Sequence, residues 1–181
     1  MKRFVVSLGV VGVLLLTASS AMAQRGPACM TVACDLQADW AGNTDGLMGI
    51  ANAMPDAEYG FKPTPAQQSF AERLMHVVTI DVKLLSTLGG KTPAPNINAK
   101  ASSKADVLAA MKEWSAYGAA VLKEFNDQQL SERVTSMPFM GPTTSRTRVA
   151  YFAISHAQDI YGQLAVYLRL KGVTPPRSNR P

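Results

Sequence analysis

Apolar residues return every three or four positions along four long stretches of this chain, and no stretch alternates as a half-buried strand would. Leu36, Trp40, Asn43, Leu47, Ile50 and Met54 share one face of the first stretch, and Phe70, Leu74, Val77, Asp81, Leu84 and Leu88 one face of the second. The third places Val107, Met111, Trp114, Gly118, Val121 and Phe125 together; the fourth Val149, Ala153, His156, Ile160, Gln163, Tyr167 and Leu170. Each set is the narrow seam of a helix that packs in a bundle. The spacing predicts an all-α fold with helices near 31–54, 65–88, 104–127 and 143–171.

Local signals mark the ends. Thr64-Pro65-Ala66-Gln67 offers a capping threonine, a proline for the first helical position and a glutamine to complete a capping box. Gly89-Gly90 stops the second helix, and Ser103 to Asp106 starts the third. Gly141-Pro142-Thr143 precedes the fourth, which Lys171-Gly172 and then Pro175-Pro176 end. The connections 55–64, 89–103 and 128–142 are rich in Pro, Gly, Ser, Thr and Asn. Their length allows helices adjacent in sequence to be non-adjacent in space.

Ahead of the first helix the pattern changes. Lys2 and Arg3 precede an apolar run from Phe4 to Leu16, and Ala21-Met22-Ala23 ends it with small residues. A basic start, a short apolar run and an A-x-A end describe a secretory signal, cleaved after Ala23. Residues 24–181 are then expected to form one exported domain, periplasmic or extracellular, with no membrane segment after cleavage. Two of the 18 Lys and Arg residues fall in the signal, so the remaining charge stays mildly positive. No basic run is interleaved with aromatics, so nucleic acid is not an expected partner. The only cysteines, Cys29 and Cys34, are expected to close as a structural disulfide in an oxidising compartment. Their spacing is not the C-x-x-C of a redox centre, and no second pair completes a zinc site.

Four seam positions are polar: Asn43, Asp81, His156 and Gln163. Burying them costs free energy unless they find partners. Either they form a hydrogen-bonded network or a seam open to water, or they line a polar pocket together with Ile160. Metal chemistry would draw on His76 and His156, the two histidines, and on Asp159, which lies three residues after His156 on a neighbouring part of its face. The chain has no G-x-S-x-G elbow and no phosphate-binding loop.

Several stretches taken together, "MPDAEYGFKPTPAQ", "FAERLMHV", "LGG" and "HAQDIYGQLAVYLRLKGVTPP", resemble the DinB family of DinB/YfiT-like metalloenzymes. The resemblance runs from about Leu36 to Pro176. It implies a four-helix bundle with a long crossover connection, often a homodimer, and three histidines holding a divalent metal such as zinc or nickel. The ligand on the second helix carries over to His76, and the first histidine of an H-x-x-x-H on the last helix to His156. The second falls on Ile160, which cannot ligate. Two readings follow. One is a non-catalytic or small-molecule-binding bundle with a degenerate metal site. The other is a divalent-metal enzyme, thiol-transferase-like or hydrolase-like, in which Asp159 supplies the third ligand to His76 and His156.

Overall fold

The computed structural model describes residues 28–179; the segment read as a signal, 1–23, lies outside them. The helices are α1 (Val32–Ala53), α2 (Phe70–Ser86), α3 (Lys104–Leu122), a short α4 (Asp127–Ser131) and α5 (Arg146–Leu170). The four long ones form the expected bundle. α3 and α5 each pack against both α1 and α2, so α1 and α2 stand diagonally opposite, as do α3 and α5. The α1–α2 and α3–α5 connections therefore cross the bundle, which their length permits. The α3–α5 connection carries α4 and a two-residue antiparallel pairing of β1 (Arg133–Val134) with β2 (Thr144–Ser145).

The helix ends show what the sequence signals left open. α2 begins at Phe70, not near Pro65, because Thr64 to Gln67 close a turn of their own, with the Gln67 amide donating to the Thr64 carbonyl at 3.1 Å. The working cap is Ser69. It accepts from the Glu72 amide at 3.2 Å, and the Glu72 carboxylate accepts from the Ser69 amide at 2.6 Å, completing a capping box. Likewise α5 is capped by Ser145, which accepts from the Arg148 amide at 3.2 Å, rather than near Thr143. α3 stops at Leu122, short of the expected 127. Phe125 lies beyond its end yet stays buried, with the Arg146 guanidinium 5.0 Å above its ring.

α1 is anchored at its start from two sides. Thr31 caps it, and the Asp127 carboxylate accepts from the Val32 and Ala33 amides at 3.3 and 2.8 Å, where a negative charge also meets the positive end of the helix dipole. A Cys29–Cys34 disulfide ties the segment before the helix to its first turn. α5 ends in a Schellman motif. Gly172, at φ 72°, donates to the Arg169 carbonyl and Val173 to that of Leu168.

The core runs between all four long helices, and its two tryptophans lie where α1 meets α3. Trp40 and Trp114, both fully buried, meet edge to face at 5.1 Å, and the Trp40 indole donates to the Ser115 carbonyl at 3.0 Å. Trp40 can approach α3 this closely because residue 118 is glycine. Among the described residues no helix is long and apolar enough to cross a membrane.

Candidate functional site

Asp81 faces the bundle interior from α2 and is wholly buried. A carboxylate there needs a partner, and α5 supplies one: His156 Nδ1 lies 2.8 Å from Asp81 Oδ1. The other carboxylate oxygen makes no hydrogen bond, nor does the nearby Trp114 indole nitrogen. Burial pushes the Asp81 carboxyl up to about 6, against the pull of His156 and, less strongly, of Trp114.

With Nδ1 turned to Asp81, the opposite nitrogen of His156 is left for other contacts. His76, from the same side of the bundle, sits edge to face on His156 with ring centroids 5.2 Å apart, and Phe152 stacks on it at 6.4 Å. Partial burial lowers the His76 pKa, and the neighbouring His156 and Arg73 lower it further, which favours the neutral imidazole. His76 also reaches outward. It lines a cleft of about 470 Å³ with Lys62, Gln67, Gln68, Glu72 and Thr79, a volume suited to a small organic molecule. Glu72 is held below the usual carboxylate range by its bonds to Ser69 and by Lys62, 3.3 Å away.

Of the residues singled out by sequence, the fold brings together His76, His156 and Asp81. Asp159 faces solvent and accepts a hydrogen bond from Gln163 at 2.8 Å. Ile160 is buried as a core residue. Asn43 borders a different cleft, between α1 and α5. The polar seam positions therefore do not line one pocket. Among the described residues no three His, Cys, Asp or Glu side chains form a group able to hold a metal. The donor set present is two imidazoles, one already bonded to a carboxylate. That does not fit the three-histidine centre the family resemblance implies.

The cleft's polar wall was not singled out from sequence. Lys62, Gln67 and Gln68 lie in the loop before α2; Lys62 and Gln67 fall within "MPDAEYGFKPTPAQ" and Gln68 just after it, a stretch that carried the family resemblance and capping signals but no binding role. Asp81 and His156 stood out singly as polar seam positions in need of partners, but nothing in the sequence paired them with each other across 75 positions.

A model of the DinB superfamily matches residues 40–164. The chain belongs to the DinB superfamily. Two solved members of the same fold are a DinB-like protein from Bacillus cereus ATCC 10987 and one from Bacillus subtilis. The first is 18% identical with a TM-score of 0.69, covering 78% of this chain and 93% of its own. The second is 20% identical with a TM-score of 0.61, covering 76% of this chain and 92% of its own. At such identities the likeness is one of fold. No curated protein matches the chain. DinB membership thus accounts for the bundle and its crossings, while the chemistry has to be argued from the side chains.

Proposed function

We propose that this DinB-superfamily protein is an exported small-molecule-binding bundle that is not catalytic, and that its His76 cleft overlies a degenerate metal site. The observation that carries the reading is the fate of the third ligand position. Ile160 fills it with a buried branched chain, while Asp159, the nearest substitute, is turned to solvent and bonded to Gln163. Two protein ligands fall short of the three that catalytic zinc sites use, and losing a ligand or its support weakens a metal site severely. Export rests on the signal pattern of residues 1–23.

The second reading, a divalent-metal enzyme, is favoured by one feature. Metal-binding histidines are commonly steadied by a carboxylate on the other ring nitrogen, and Asp81 holds His156 in that way. Elemental analysis of the purified mature protein separates the two, run beside Ile160→His with thermal melts in and out of chelator. The non-catalytic reading expects less than stoichiometric metal in the parent and a gain in the variant. Stoichiometric metal in the parent, lost in His156→Ala, overturns it.

A further inference from the structure

On the other side of α5 from the histidines lies a second cleft, of about 450 Å³. Its walls follow from helical spacing. Tyr151, Ser155 and Gln158 recur at four and three residues on the α5 face turned to α1, while His156 belongs to the face turned to α2. α1 contributes Asp39 and Asn43, and Arg177 reaches in from the 3₁₀ turn Pro176–Asn179.

The chemistry of this wall is polar and almost unspent. Among the described residues the side chains of Asp39, Tyr151 and Gln158 make no hydrogen bond or ion pair. Asn43 uses one amide hydrogen on the Asp39 carbonyl at 3.0 Å and keeps its own oxygen free. Ser155 donates to the Phe152 carbonyl at 3.0 Å and keeps its acceptor capacity. The result is a set of planar carboxylate and amide groups and hydroxyls, each able to give or take hydrogen bonds. Beside them the Tyr151 ring is 64% exposed.

An anion is the obvious guest for a cleft with an arginine, and the geometry argues against it. Arg177 is committed elsewhere. It donates to the Gly42 carbonyl, stacks 4.6 Å over Tyr161, and fits against α1 so closely that a Cβ on residue 46 would lie 2.7 Å from its Nε. That Nε is buried without a partner. The fork that would grip a carboxylate or phosphate in bidentate fashion is thus turned into the fold. Asp39 adds a negative charge to the same cleft and would repel an anion. What remains is a neutral guest with many hydroxyls and one flat face able to lie on an exposed aromatic ring.

We propose that the α1–α5 cleft is a saccharide-binding site. The amides and carboxylate of Gln158, Asn43 and Asp39 meet vicinal hydroxyls, and Tyr151 stacks on the C–H face of a sugar ring. The site is independent of the His76 cleft and of any metal there.

The test is an amide NMR titration of the isotope-labelled mature protein with maltose, lactose and cellobiose, each to tens of millimolar, and separately with inorganic phosphate. At least one disaccharide should shift the amides around Asp39–Asn43 and Tyr151–Gln158 saturably, with a Kd on the order of 1 mM. Tyr151→Ala and Gln158→Ala should each weaken that binding roughly ten-fold. Both side chains are exposed, so circular dichroism and melting temperature should not change. The proposal is overturned if no disaccharide shifts these amides, if phosphate alone shifts them, or if sugar-induced shifts cluster at His76.

Discussion

Replacing Gly118 with alanine should weaken this protein, although the same change in a helix interior ordinarily stabilises by about 1 kcal/mol. The new Cβ would fall well inside contact with the six-membered ring of Trp40 and 2.7 Å from its Nε1. The indole has little room to retreat. It is fully buried, bonded to the Ser115 carbonyl at 3.0 Å and set edge to face on Trp114 at 5.1 Å. Overpacking a core costs about 1–3 kcal/mol. Displacing the ring would forfeit a hydrogen bond, about 1 kcal/mol, and part of an aromatic pair, about 0.5–1.5 kcal/mol. Set against the helical gain, the net loss is about 1.5–4.5 kcal/mol. Urea unfolding measures it, followed by fluorescence, since the chain's only two tryptophans form this pair, and by circular dichroism as a second probe. Gly162→Ala is the control. It lies within α5, and its Cβ would meet nothing within 4 Å, so it should stabilise by about 0.5–1 kcal/mol. If Gly118→Ala is as stable as the parent, or if both variants respond alike, the packing argument for Trp40 fails.

Removing His156 leaves Asp81 buried without its partner, so His156→Ala should cost about 3–5 kcal/mol in the same assay, whereas Asp159→Ala, at an exposed position, should stay within about 0.5 kcal/mol. Tyr59→Phe removes a buried 2.7 Å hydrogen bond to the Ala51 carbonyl and should cost about 1–2 kcal/mol by thermal or urea melt. Glu124 accepts from the Lys91 and Thr92 amides and the Thr92 hydroxyl, which hold its carboxyl below its ordinary 4.5. A lowered folded-state pKa means its contribution is present above pH 4.5 and lost as pH falls through the folded value. The protection of the Lys91 and Thr92 amides, taken as the exchange rate relative to that of a free amide at the same pH, should therefore fall on acidification in the parent. In Glu124→Gln it should start low and change less with pH.

The seams were legible because burial repeats with the helix. Leu36, Trp40, Leu47, Ile50 and Met54, or Leu74, Val77, Leu84 and Leu88, read as core and are core. The ends were less legible because two signals competed in each connection. Thr64-Pro65 forms a turn, and the Ser69–Glu72 box further on starts the helix. Composition alone does not rank them. Phe125 kept the third stripe's period past the end of α3, because a loop residue can fill the same apolar space that one more helical turn would have filled. The candidate site was legible one helix at a time. His76, His156 and Asp81 stood out as polar residues on or beside seams. Which of them meet depends on α2 lying beside α5 rather than beside α1, and the stripes do not encode that pairing. Asp159 shows the limit on a single helix: three residues from His156 is near enough to share a face, yet also far enough to turn to solvent.

The diagonal arrangement also orders assembly. Two sides of the bundle, α1–α3 and α2–α3, join segments that are complete by Leu122, while the other two need α5. The Trp40–Trp114 contact belongs to the first group and the Asp81–His156 contact to the second. Their spans in sequence are nearly equal, 75 residues for Asp81–His156 and 75 for the Trp40–Ser115 bond beside the tryptophan pair, so chain order is what separates them: in synthesis from the N-terminus the segments that carry the tryptophans are complete before α5 is made. The polar pair then works as a latch that sets only when the last helix has docked.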